Sequence, residues 1–124
     1  AAQCQQYYGC STGNCYALQA SLSASYAITN VQDLGNEYKK YNYDFTISET
    51  AGVSANINPT YTQCYSSEGS CFTYSTSFNN IPPSGSVTKS GFFQTTPGNT
   101  VTNTYTWTDA NGNSNTISKQ MYAS

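Results

Sequence analysis

The sequence predicts an all-β fold, an antiparallel sandwich of seven or eight short strands. Three observations predict it. Apolar and polar residues alternate with a period of two over most of the 124-residue chain. This is how a strand with one buried face reads, because successive side chains point to opposite faces. Turn-forming Gly, Pro, Asn and Asp recur every ten or so residues, the spacing of a sandwich. After Asp33, no stretch carries helical periodicity.

Composition bounds the rest. The chain has the length of one domain, enough to bury about two-thirds of its unfolded surface. Only 8% of the residues are charged, the net charge is -2, and neither Arg nor His occurs. Solubility therefore rests on Ser, Thr, Asn, Gln and the hydroxyls of twelve tyrosines. Four lysines without arginine cannot track a phosphate backbone, so no nucleic acid is expected as a partner. No apolar run is long enough for a membrane span.

Five cysteines, Cys4, Cys10, Cys15, Cys64 and Cys71, point to an oxidising compartment outside the cell or on its surface. They contain no Cys-x-x-Cys pair and have no histidine to join them, which argues against zinc. No metal and no cofactor is expected. Ala1-Ala2-Gln3 reads as a mature end left by signal peptidase.

The elements follow in order. Residues 1–15 form a Cys/Tyr/Gln arm without periodicity, and residues 16–124 the sandwich. The first strand is the most ambiguous. Tyr16, Leu18, Ala20, Leu22, Ala24, Tyr26 and Ile28 line one face of a strand without a break. Leu18, Leu22 and Tyr26 also fall at helical spacing, but the unbroken alternation favours the strand. Asp33 to Asn36 then form a turn. Tyr41, Tyr43, Phe45 and Ile47 alternate up to the turn at Glu49–Gly52, and the alternation leaves Lys39 and Lys40 as solvated guards. Val53, Ala55 and Ile57 follow. Tyr61–Tyr65 and Cys71–Phe78 flank a hairpin turn, with Phe72, Tyr74 and Phe78 on one face. Asn79–Ser86 is a loop, because consecutive prolines cannot sit in a central strand. Val87–Thr95 is the next strand.

The last hairpin is the strongest signal. Val101, Asn103, Tyr105 and Trp107 alternate with threonines, and Ile117, Lys119 and Met121 alternate after the turn. Asp109 to Ser114 supply turn chemistry, since Asn and Gly tolerate positive φ. A two-residue loop puts Ile117 on the wrong face. A three-residue loop, Asn111 to Asn113, pairs Trp107 with Ile117 and Tyr105 with Lys119, and is the favoured register. This Pro-Gly turn, aromatic strand ending in Asp, Asn-Gly turn and Thr-rich last strand resemble the final hairpin of microbial extracellular immunoglobulin-like domains. The resemblance implies an immunoglobulin-like antiparallel β-sandwich with a Cys-containing N-terminal arm.

Two further features bear on function. Cys64 and Cys71 fall opposite each other if their hairpin pairs symmetrically, which predicts a disulfide on the outer face, with Cys4, Cys10 and Cys15 competing as partners. The acids Asp33, Glu37, Asp44, Glu49, Glu68 and Asp109 are scattered singly, so no enzyme is expected.

The first strand is also too long. Tyr16 to Asn30 would extend about 50 Å at ~3.3 Å per residue, against a radius of gyration near ~14 Å for such a domain. Either it bends between sheets, or part of it leaves the domain to complete a neighbour's sheet. The second arrangement resembles donor-strand filament subunits such as archaeal threads and bundling pili. That resemblance implies a structural subunit of an extracellular filament or surface layer, partnered by copies of itself, with Tyr16, Leu18, Leu22, Tyr26 and Ile28 on the assembly strand. The alternative is a secreted binding module or effector, for surface glycans or a receptor, using exposed tyrosines such as Tyr7 and Tyr8.

Overall fold

The computed structural model describes the backbone of residues 8–11 and 14–17 and the whole of residues 18–67 and 69–124. Among these residues there is no helix. Strands β1 (Tyr8–Ser11) and β2 (Asn14–Ala17) form a small antiparallel ribbon. Eight more make two antiparallel sheets: β3 (Leu22–Gly35), β4 (Tyr38–Glu49), β5 (Ala55–Tyr65), β6 (Ser70–Ser75), β7 (Asn80–Ile81), β8 (Ser86–Thr95), β9 (Thr100–Asp109) and β10 (Ser114–Tyr122). One sheet has the order β3-β4-β8, the other β10-β9-β5-β6 with β7 beside β5. This is the expected all-β sandwich.

The alternation does what it promised in the central strands. Tyr41, Tyr43, Phe45 and Ile47 of β4 are buried between the sheets, as are Val101, Asn103, Tyr105 and Trp107 of β9. Phe45 and Tyr105 meet across the core at 5.4 Å between ring centroids, and Phe78 stands edge-on to both. Tilted and edge-on pairs are the favoured geometry for rings with a negative face and a positive edge. One polar chain crosses this core. The Gln63 amide donates to Asn103 Oδ1 at 2.9 Å, and the Asn103 amide donates to the Tyr43 hydroxyl at 3.1 Å. Each buried polar atom thus has a partner, without which it would destabilise the fold.

The hairpin register differs from the expected one. Trp107 lies opposite Asn115, Tyr105 opposite Ile117 and Asn103 opposite Lys119. The loop does have three residues, but they are Ala110 to Gly112, because Asp109 N–H donates to Asn113 O at 2.8 Å. The cause is a side chain. Asp109 Oδ1 accepts from the backbone N–H of Asn111 and of Asn113, both at 2.9 Å, so the acid sets the turn and Gly112 takes the left-handed φ of 84°. The pairing slips by two residues, an even number. The faces therefore survive, and Ile117 still packs against the core.

The long first strand is not continuous either. Residues 18–21 belong to no strand, and β3 begins at Leu22. The N–H groups of Ala20 and Ser21 bond to the carboxylates of Asp109 and Glu49 instead of a neighbouring strand. The excess length appears at the other end. Beyond Ile28, β3 is exposed on both faces, with Val31 and Leu34 in solvent.

Two smaller corrections concern the middle of the chain. Phe72 and Tyr74 do not share a buried face with Phe78, because β6 stops at Ser75 and only Phe78 turns into the core. Within the expected loop 79–86, Asn80 and Ile81 make a two-residue strand against β5, while Pro82 and Pro83 stay outside it.

Candidate functional site

The sandwich is closed along one side and open along the other. On the closed side, β3 and β10 come together and Tyr122 N–H donates to the Tyr26 hydroxyl at 3.2 Å. On the open side the edge strands β6 and β8 stand apart, leaving a cleft of about 680 Å³. Tyr61, Gln63 and Tyr65 of β5 and Phe93 of β8 line its depth, while Phe72, Tyr74, Phe92 and Tyr38 stand around it.

Register explains why these rings face the cleft. Cys64 pairs with Cys71 and carries the disulfide on the outer face, so the flanking pairs Gln63–Phe72 and Tyr61–Tyr74 point inward. Since β6 is an edge, Phe72 and Tyr74 have, among the described residues, no strand beyond them to cover their rings. They are 46% and 42% exposed. Phe92, 53% exposed, points to the outer face of β8, because its neighbour Phe93 is buried between the sheets. The rings brace one another: Tyr61 and Tyr74 lie 5.9 Å apart, Tyr65 and Phe72 6.0 Å. Lys40 is not a free guard, because its ammonium sits 4.4 Å from the centre of the Phe92 ring, a cation–π contact.

Among the described residues, the cleft lining carries no charged side chain. Burial, reinforced by neighbouring tyrosines, pushes the Tyr65 hydroxyl up to about 12 and raises those of Tyr61 and Tyr105 as well. Tyr65 donates to Gln63 Oε1 at 2.9 Å, and Tyr38 donates to the Gln94 carbonyl at 3.1 Å. The arrangement offers ring faces, amides and hydroxyls, which suit a neutral partner with apolar faces. Among the described residues, no group of three or more His, Cys, Asp or Glu could hold a metal.

The residues singled out from the sequence are distributed as follows. Cys64 and Cys71 form the expected disulfide, with Cys71 on the surface. Cys10 and Cys15 are register partners in the β1–β2 ribbon; Cys4 lies outside the described residues, as does Tyr7. The expected assembly strand is divided. Tyr16 belongs to β2, Leu18 to the connection, and Leu22, Tyr26 and Ile28 to β3, where they pack half-buried against their own core. Sequence reasoning missed the cleft, and it missed Glu49 and Asp109. Both acids are buried. Burial alone would raise their carboxyls, but the backbone N–H groups around them outweigh it and hold both below the usual carboxylate range.

A scan against protein-family models finds no match. A search of curated proteins likewise finds none. Solved structures do resemble the chain. One, assigned to the ApaA protein of Bordetella pertussis, superposes with a TM-score of 0.66 at 14% identity, covering 85% of this chain and 94% of that one. Another, the Northeast Structural Genomics Consortium target SoR45, gives 0.64 at 15% identity and covers 85% of each chain. At such identities the likeness shows the fold alone, an all-β sandwich.

Proposed function

We propose that this protein is a structural subunit of an extracellular filament or surface layer, in which a strand from one copy fills the open side of the next. The observation that carries the reading is the cleft between β6 and β8, where two sheet edges, unpaired among the described residues, border an aromatic lining. Unpaired edges present rows of free N–H and C=O groups and recruit strands.

The donor differs from the strand first expected. Leu22, Tyr26 and Ile28 are committed to their own sheet, which leaves the segment before Leu18. Charge supports the match, because no Asp, Glu or Lys precedes Asp33 and, among the described residues, none lines the cleft. An extracellular location is supported by the surface disulfide, a bond that persists in oxidising surroundings. Deleting residues 1–17 tests the reading. The shortened chain should fold and remain monomeric while the full chain polymerises. A full chain that stays monomeric at micromolar concentration by light scattering contradicts it.

A second reading, a secreted module for neutral carbohydrate, is favoured by the exposed rings of Phe72 and Tyr74 beside uncharged amides. The cleft volume falls in the range of small-ligand sites. Saturable shifts of Phe72 and Tyr74 resonances with a glycan, and no polymer, would select it.

A further inference from the structure

The connection between β2 and β3 is fastened from both sheets. From the β9–β10 turn, the Asn111 amide donates to Leu18 O at 2.8 Å, and Asp109 Oδ2 accepts from Ala20 N–H at 2.9 Å. From the end of β4, Glu49 Oε2 accepts from Ser21 N–H at 3.1 Å, and Thr50 N–H donates to Ser21 O at 3.0 Å. Consecutive peptide groups are thus held by carboxylates from opposite layers.

Both acids are saturated by other backbone donors. Glu49 also accepts from Ala51, Gly52, Val53 and Ser84, and Asp109 from Asn111 and Asn113. A buried ion is costly unless hydrogen-bonded, and charge-assisted bonds of this kind are about twice as strong as neutral ones. Each acid thus holds the loop beside it without help from the other. What the pair adds is a fixed point in the chain where the N-terminal segment departs.

We propose that Glu49 and Asp109 form a clamp that anchors residues 18–21, so that the segment before Leu18 leaves the sandwich from a fixed point and in a fixed direction. This rests on the strand-exchange reading above and deepens it. Each copy would be tied to the next through a segment whose root cannot slide, and the clamp would set the stiffness of the junction between copies. Leu18 and Ala20 add packing to the same anchor, since both contact the core.

Asp109→Asn in the full chain tests the clamp. An amide cannot present two acceptor oxygens, so its NH₂ must oppose one set of N–H donors. Amide exchange followed by NMR should accelerate at least tenfold at Ala20 and Ser21, with the Tyr43 amide unchanged. Polymers of this variant should bend severalfold more easily in electron micrographs. If Asp109→Asn does not fold, Asn111→Ala keeps both carboxylates and removes the shorter of the two amide bonds to Leu18 O, leaving that from Asn113 at 3.4 Å, and should accelerate Ala20 exchange severalfold. A wild-type Ala20 amide that exchanges like a free peptide overturns the clamp, as does a variant that loses this protection yet forms polymers of wild-type stiffness. A wild-type chain that never polymerises removes the strand-exchange reading instead, and Ala20 exchange then decides the clamp alone.

Discussion

The Tyr43 ring of β4 lies across β8 at Gly91, its register partner. A Cβ added to Gly91 would stand 2.7 Å from the Tyr43 hydroxyl oxygen and 2.8 Å from its Cζ. Glycine in a strand often marks such a close approach. The ring cannot swing away easily, because it packs on Phe45 and Phe93 and its hydroxyl accepts from Asn103. Gly91→Ala should therefore destabilise the fold by about 1–3 kcal/mol, the cost of overpacking a core. Gly91 also lines the cleft, so the same variant should shift the Tyr61 and Phe93 resonances. A denaturant series with NMR on the folded variant checks both.

Trp107 is 4% exposed and lies in β9 between Ile57 of β5 and Asn115 of β10. Trp107→Ala leaves a large cavity in the middle of the five-stranded sheet. It should cost about 3–5 kcal/mol, read as a lower denaturant midpoint with an unchanged slope.

The Cys64–Cys71 bridge closes a short loop at the edge that forms one wall of the cleft. Replacing both cysteines with alanine should cost about 2 kcal/mol, since stabilisation by a crosslink grows with the length of the loop it closes and this loop is short. Phe72 and Tyr74 should gain mobility before the core does. Relaxation measurements comparing β6 with β4 check the order of loosening.

The two buried acids give a signed pH dependence. Both carboxyls are held below the usual carboxylate range in the folded state. Their stabilisation is therefore complete above the unfolded value of about 4 and is lost as pH falls further, through the folded values. Unfolding midpoints should hold steady from neutral pH to about 5 and drop below about 4. Glu49→Gln should lower the neutral midpoint and flatten the acid limb. The alkaline limb has the opposite origin. Burial raises the hydroxyls of Tyr61, Tyr65 and Tyr105, so their neutral forms stabilise the fold below about pH 10 and that contribution fades above it.

Much of the architecture was legible because binary alternation is local. Tyr41 to Ile47 and Val101 to Trp107 declare their buried faces without reference to any other strand. What was not legible depends on partners. Alternation continues unbroken from Tyr16 through Ile28, so the sequence alone cannot reveal that backbone bonds pass from a ribbon to two carboxylates at Ala20 and Ser21. Glu49 and Asp109 look like ordinary turn acids until burial is known. The hairpin register failed for the same reason: the Asp109 side chain, not the Asn-Gly pair, chooses the loop. Phe72 and Tyr74 read as a core face, and only the sheet order shows that β6 is an edge and leaves them lining a cleft. The symmetric Cys64–Cys71 hairpin was predictable because its short turn leaves few registers.

The measurement closest to the central claim is cryo-electron microscopy of the native material. The strand-exchange account predicts uniform fibres or sheets in which the segment before Leu18 of one copy lies between β6 and β8 of its neighbour, covering Phe72 and Tyr74. Monomeric particles, or an assembly whose cleft is empty or filled by anything other than that segment, would contradict it.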